Sequence, residues 1–83
     1  MKQHITPATC RAARGLVDWT QDRLAQEAGV GITTLRTFEK GVSKPVAQNL
    51  AALQRTLETA GIEFIPENGG GVGVRLSKAG TAP

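Results

Sequence analysis

The chain has 83 residues, a net charge of +3 and 40% hydrophobic residues, which include two Phe, one Trp and no Tyr. A chain shorter than about 100 residues folds as one small domain, which excludes a second independent core and argues against a deep ligand cavity. Its single cysteine, Cys10, excludes an internal disulfide, and no stretch approaches the roughly 20 apolar residues of a membrane span. We therefore expect a cytoplasmic protein with no membrane contact, whose positive charge favours a polyanionic partner without requiring one.

Two helices are predicted in the first third of the chain. Thr6 supplies a hydroxyl that caps free amides, and Pro7 suits the first helical position, where its missing N–H would be unpaired in any case. The first helix is therefore predicted to run from residue 7 to about residue 18. Thr20 caps a second helix over residues 21–28, which ends at Gly29 because glycine readily adopts a left-handed conformation.

Two further helices follow after this glycine. Gly31 precedes a third helix over residues 32–40, and Gly41 stops it. Pro45 is predicted to open a fourth helix that continues to Gly61, because apolar residues recur in this segment every three or four positions. These residues are Val46, Leu50, Leu53 and Leu57.

The pattern changes after Gly61 to short β-branched or aromatic runs, IEFIP and VGVRL, around the glycine-rich turn ENGGG. This predicts a strand or hairpin over residues 62–76, followed by a flexible tail, 77–83. An isolated hairpin is barely stable in water, so it packs on the helices or pairs with a second copy of itself. We favour self-pairing through either strand, with four residues at the dimer contact: Ile62, Phe64, Val74 and Leu76.

The third predicted helix carries a polar stripe on its outer face. Thr33, Arg36, Thr37 and Lys40 follow one another at i, i+3, i+4 and i+7, with no acidic residue among them. Hydrogen-bond donors and positive charge on one helix face suit the major groove of duplex DNA. The alternative is that these side chains are ordinary solvated surface residues.

The segment TQDRLAQEAGVGITTLRTFEKG, residues 20–41, resembles the helix-turn-helix of phage-repressor-type transcription factors, the Xre or Cro-like family. A small residue, a turn glycine and an apolar set lie where that motif has them. These residues are Ala25, Gly29, Leu24, Val30, Leu35 and Phe38. The resemblance extends over residues 6–61 and implies a mainly α fold, a compact repressor-like bundle of four helices with a short C-terminal β-strand or hairpin. We therefore assign residues 1–61 to the DNA-binding domain, and from the hairpin argument above we assign residues 62–76 to the dimerisation element.

The resemblance also implies roles for individual residues. The glutamine that grips phosphate at the start of helix two falls on Gln21. The base-reading positions fall on Ile32, Thr33 and Thr37, with Arg36 in reach of a base or a phosphate. The positions that grip the flanking backbone fall on Lys40, Ser43 and Lys44. Gln21 as an ordinary exposed helix residue, and Ile32 packed against Val30 or the loop, remain alternatives.

An arginine of helix one and a glutamate late in helix three form a partly buried ion pair in the resembled family. These positions fall on Arg14 and Glu39, and we expect the pair to fix the third helix against the first. The alternative is two exposed charges that contribute little to stability.

No catalytic constellation appears in the sequence. His4 is the only histidine and falls in a predicted tail, so we expect no enzyme activity, no metal site and no cofactor. The expected function is that of a cytoplasmic, nucleoid-associated repressor that binds double-stranded DNA as a homodimer. Two alternatives remain, an antitoxin that binds a toxin and regulates its own promoter, and a helix-turn-helix fold used only for protein contact.

Overall fold

A computed structural model of the protein describes residues 4–77. Its elements in chain order are α1 (Pro7–Val17), α2 (Gln21–Ala28), α3 (Ile32–Glu39), α4 (Ala47–Thr59), β1 (Ile62–Ile65) and β2 (Gly73–Leu76). The two strands pair as an antiparallel hairpin that packs against α1 and α4. The predicted mainly helical bundle with a C-terminal hairpin is therefore confirmed.

The starts of α1 and α2 are set by threonine caps, as predicted. The Thr6 hydroxyl accepts a hydrogen bond from the Thr9 amide at 3.1 Å, and the Thr9 hydroxyl accepts one from the Thr6 amide at 2.8 Å. The Thr20 hydroxyl accepts from the Arg23 amide at 3.0 Å. Helix α1 ends at Val17 because Asp18 adopts a left-handed conformation with φ 59°, and α2 ends at Gly29 with φ 70°. These local contacts satisfy amides that a helix end leaves without partners.

The boundaries of α3 and α4 differ slightly from the prediction. Lys40 is the C-terminal cap of α3 rather than its last helical residue. Helix α4 begins at Ala47, two residues after Pro45, because Val46 has an extended backbone with φ −61° and ψ 155° and serves as the N-cap. Pro45 therefore lies before the cap and does not occupy the first helical position.

The core lies where the four helices and the hairpin meet. Its residues are mostly aliphatic, as the scarcity of aromatic residues requires. The buried apolar residues are Ile5, Cys10, Ala13, Leu24, Ala25, Val30, Leu35, Phe38, Leu50, Leu53, Leu57, Ile62 and Phe64. Trp19 packs against this cluster at the corner between α1 and α2, and the Arg23 guanidinium lies 4.4 Å from its ring centroid.

The hairpin contributes one face to that core. Ile62 pairs with Leu76 and Phe64 with Val74 across the strands. The side chains of Ile62 and Phe64 are buried against the helices of their own chain, Val74 is partly buried, and Leu76 remains 47% exposed. Any contact of Ile62 or Phe64 with a second copy would therefore use backbone atoms rather than these side chains.

The N-terminal segment is fixed on the bundle, which corrects the prediction that His4 lies in a tail. The His4 amide donates to Gln54 Oε1 at 2.8 Å, and Ile5 is buried in the core. Residues 78–83 of the predicted C-terminal tail lie outside the described residues. Among the helices of residues 4–77, none has the length and hydropathy needed to cross a bilayer.

Candidate nucleic-acid interface

Glu39, at the end of α3, is the point at which three helices are joined. Its side chain is 2% exposed. Arg14 of α1 donates to it twice, from Nε to Oε2 at 2.8 Å and from Nη2 to Oε1 at 2.7 Å. This two-bond geometry fixes the orientation of both side chains, because guanidinium and carboxylate are planar and matched in width.

Two further side chains complete the coordination of this carboxylate. Cys10 Sγ of α1 donates to Oε2 at 3.1 Å, and Gln21 Nε2 of α2 donates to Oε1 at 2.9 Å. The Arg11 guanidinium donates to the backbone carbonyl of the same glutamate. We call the set of Cys10, Arg14, Gln21 and Glu39 the Glu39 clamp. It holds the C-terminal end of α3 to α1 and to the start of α2.

The side chains of the Glu39 clamp keep their protonation states at neutral pH. Burial alone would raise the pKa of Glu39, but hydrogen bonds from Arg14, Cys10 and Gln21 outweigh it and hold the pKa below the ordinary value. The hydrogen bond to Glu39 raises the pKa of Arg14. Burial, followed by the hydrogen bond to Glu39, raises the pKa of the Cys10 thiol. The clamp therefore contains an ionised carboxylate, a charged guanidinium and a neutral thiol.

The exposed side of α3, which is adjacent to the buried side that carries Glu39, and the loop after α3 form a polar, positively charged surface. We call the exposed residues Thr33, Arg36, Lys40, Ser43 and Lys44 the α3 surface. Glu39 is the only acidic residue between positions 28 and 57, and it is buried away from this surface. The positive charges here are therefore not neutralised by neighbours in the same segment.

One acidic residue of α2 comes near the α3 surface. Arg36 Nη2 lies 4.0 Å from Asp22 Oδ1, with the two side chains 54% and 80% exposed. An exposed pair at this distance contributes little, because water screens it and both side chains keep their rotamer freedom. Arg36 therefore needs little energy to turn towards another acceptor.

The candidate base-reading residues differ in their access to solvent. Thr33 and Arg36 are exposed, whereas Ile32 is partly buried against the core. Thr37 is also partly buried, and its hydroxyl donates to the Thr34 carbonyl at 3.2 Å and accepts from Ser43 Oγ at 2.9 Å. The hydroxyl of Thr37 is thus occupied within the chain, and its methyl group remains for an apolar contact.

Residues 11–64 match the family described as Helix-turn-helix. This range covers about two thirds of the chain. The chain belongs to the Xre/Cro-like helix-turn-helix family. No curated protein matches it.

Membership of this helix-turn-helix family makes the protein a DNA-binding transcription regulator. In a helix-turn-helix the second helix of the pair enters the major groove while the first crosses the backbone. Here the pair is α2 and α3, connected through Gly29, Val30 and Gly31. The α3 surface therefore lies on the element that the motif presents to DNA.

Sequence reasoning missed two members of the Glu39 clamp. It considers Cys10 with regard to disulfides, and Gln21 as a phosphate ligand or an exposed helix residue, yet both donate to Glu39. Helical spacing places Cys10 and Arg14 four residues apart on one face of α1, which was the available signal. Within residues 4–77 no group of three or more His, Cys, Asp or Glu side chains is arranged to hold a metal ion.

Proposed function

We propose that this protein is a sequence-specific repressor that binds a pseudo-palindromic operator as a homodimer in the cytoplasm. The observation that carries the proposal is the α3 surface, which is exposed, cationic and free of acidic neighbours in its own segment, on a helix fixed by the Glu39 clamp. A rigid helix with an exposed polar face is what direct reading of base edges requires.

Arg36 and Thr33 supply the base contacts in this proposal. An arginine donates two parallel hydrogen bonds to guanine O6 and N7, and the methyl group of threonine contacts the methyl group of thymine. Both side chains are exposed on α3. The methyl groups of Ile32 and Thr37 extend the apolar contact, since each residue is only partly buried. The half-site therefore contains thymines and one guanine.

Lys40, Ser43 and Lys44 supply contacts to the phosphate backbone. All three are exposed, and within residues 4–77 neither lysine forms an ion pair. Ser43 donates to a phosphate by turning its hydroxyl away from Thr37. Gln21 joins them through the second hydrogen of its amide, since only one is needed for Glu39. Phosphate contacts fix position and affinity but carry no direct sequence information.

The dimer provides the selectivity that one half-site lacks. Two recognition helices of a symmetric dimer meet the same side of the duplex when they are about 34 Å apart, one helical turn. A dimer bound in this way across a promoter excludes RNA polymerase. Repression follows from occupancy, so its extent depends on the protein concentration.

The decisive experiment selects bound duplexes from a random library and then measures affinity by fluorescence anisotropy over a range of salt. We expect a two-fold symmetric site and a log–log slope of roughly 0.9 for each phosphate contacted. Arg36→Ala should weaken the binding free energy by about 1–3 kcal/mol and relax the preference for one base pair in each half-site. Lys44→Ala should weaken all duplexes alike and reduce the slope by about 1 for each subunit.

Arg55→Ala is the matched control, because it removes one exposed positive charge of α4 beside Trp19 and Glu27, outside the α3 surface. Its affinity should stay within about twofold of the original protein, as expected for a distant screened charge. Equal effects of the Arg36 and Lys44 variants on all sequences would refute the assigned roles. No salt-sensitive binding to any duplex would refute the function. A stoichiometric partner that co-purifies with the protein and is released as a toxin would favour the antitoxin alternative.

A further inference from the structure

Within the part of the chain that the structure describes, the hairpin has two strand edges that pair with no further strand. The Ser77 amide donates to the Gly61 carbonyl at 2.7 Å, in line with the strand register. In an antiparallel ladder, residues two positions apart repeat this pattern, so the odd-numbered residues bond across the hairpin. The backbone groups of the even-numbered residues therefore point outwards. Among residues 4–77, no turn or side-chain hydrogen bond reaches these groups in Val72, Val74 or Leu76.

The two outer edges differ in their capacity to accept another strand. Pro66 stands at the next outward position after β1, where it has no N–H to donate. The β2 edge has donors and acceptors at Val74 and Leu76, with Val72 at the next outward position before the strand, and it contains no proline. Val72 and Leu76 are also 50% and 47% exposed. Free backbone N–H and C=O groups on an apolar edge can pair with another strand, whereas a proline on an edge disfavours such pairing.

We infer that β2 pairs antiparallel with β2 of a second copy, with Val74 opposite the partner's Val74. This inference rests on the homodimer of the proposed function and specifies the surface and the register that form it. Both strands must present their outward, even-numbered backbone groups to each other. Centring the pair on Val74 places Val72 opposite the partner's Leu76, so all five residues from 72 to 76 are paired and about six backbone hydrogen bonds form.

The neighbouring symmetric registers are less favourable. Moving the two-fold axis by one residue towards the C-terminus places Arg75 directly opposite the partner's Arg75, and like charges in that position are destabilising. Moving it by one residue the other way opposes Gly73 to the partner's Gly73 and leaves Leu76 opposite the glycine turn. In the register centred on Val74, Arg75 faces a glycine and keeps its own Glu63, to which it is bonded at 2.9 and 3.0 Å.

The apolar side chains of the edge also fit a symmetric partner. Val72, Val74 and Leu76 alternate along the strand, so they share the face that carries Ile62 and Phe64 towards the helices. Pairing two copies joins these residues into one apolar strip under a four-stranded sheet. A surface that is complementary to itself in this way defines an isologous two-fold contact.

The first test measures the molar mass of the full chain by light scattering at about 50 µM. The expected mass is that of the dimer, twice 8.7 kDa. The double variant Val72→Lys with Leu76→Lys should give monomers with an unchanged circular dichroism spectrum, because edge lysines prevent pairing. Val46→Lys is the matched control, since Val46 is 66% exposed at the start of α4, and it should remain dimeric. A monomeric original protein, or a dimeric double variant, would overturn the inference.

The second test examines the register by disulfide formation under mild oxidation. In the inferred register the two copies of residue 74 have Cα atoms about 5.5 Å apart, within disulfide range, whereas the two copies of residue 75 are separated by roughly 8 Å. Val74→Cys should therefore form a covalent dimer and Arg75→Cys should not. Cys10 is fully buried and gives little background. Preferential cross-linking of Arg75→Cys would overturn the register.

The two proposals fail in different ways. A dimer with the expected cross-link that binds no duplex refutes the repressor function and keeps this interface. A monomer that binds DNA with a steep salt dependence refutes this interface and keeps DNA recognition by α3. The double lysine variant should bind a single half-site but lose the preference for two half-sites at fixed spacing.

Discussion

Substitutions that break the Glu39 clamp should strongly reduce the folding stability of this protein. Arg14→Met removes both of the short hydrogen bonds from the guanidinium, at 2.8 and 2.7 Å, and leaves a carboxylate that is 2% exposed. Only the weak thiol donor of Cys10 and the neutral amide of Gln21 then remain. A buried charge without an ionic partner is far more costly than an exposed one, because neither water nor the partner stabilises it.

Removing one partner of a buried ion pair costs about 3–5 kcal/mol. A domain of this size has a free energy of unfolding of roughly 4–12 kcal/mol, from about 0.05–0.15 kcal/mol per residue. The substitution therefore removes a large share of the total stability. Each kcal/mol lowers the melting temperature of a small domain by about 4–8 °C, so we expect a decrease of at least about 12 °C.

The assay is thermal unfolding followed by far-ultraviolet circular dichroism at pH 7, with urea unfolding as a second measurement. Arg14→Met with Glu39→Leu should be more stable than Arg14→Met alone, because the double change removes both charges. Arg23→Met is the matched control. Its ion pair with Glu27 is a half-exposed contact of 3.3 Å, and its guanidinium also lies over the Trp19 ring. The loss of these two exposed interactions together should cost at most about 2 kcal/mol. If Arg14→Met lowered the melting temperature no more than Arg23→Met, the buried pair would not be a major source of stability.

Two further predictions concern pH and the start of α4. The folded-state pKa of Glu39 lies below its ordinary value of 4.5, so its contribution is complete above that pH and is lost as the pH falls through the lower folded value. Glu39→Gln should therefore have a lower melting temperature than the original protein at pH 7, but its melting temperature should fall less on acidification below pH 4.5. An equal fall in the two proteins would contradict this. Val46 caps α4 with no side-chain hydrogen bond. Val46→Ser should exceed Val46→Ala in stability by about 0.5–2 kcal/mol in urea unfolding, and no difference would show that the first turn is already satisfied by water.

The boundaries of the first two helices were predictable because they depend on residues adjacent in sequence. A threonine reaches an amide three residues away whatever the rest of the chain does, as Thr6 and Thr20 show. The start of α4 was less predictable. Proline restricts its own φ but does not decide whether the next residue becomes helical, and Val46 adopts an extended backbone that delays the helix.

The contacts that hold α3 in the bundle were predictable only in part. The pairing of Arg14 with Glu39 spans 25 positions, and it was expected from family resemblance rather than from spacing. The convergence of Cys10 and Gln21 on the same carboxylate depends on the relative position of three helices. No local pattern carries that information, which is why the second role of Gln21 emerged only from the structure.

The shortness of α3 makes it depend on the residues that attach it to the bundle rather than on the residues of the α3 surface. Eight residues are too few for a stable isolated helix, which needs roughly 12–15 residues in water. Helix α3 is therefore helical only because Leu35, Phe38 and Glu39 fix its inner face to the bundle. Because those three residues contribute most of the stabilising contacts, the exposed Thr33 and Arg36 can change without loss of the fold. Substitutions at these two positions should alter the preferred DNA sequence while leaving the melting temperature nearly constant.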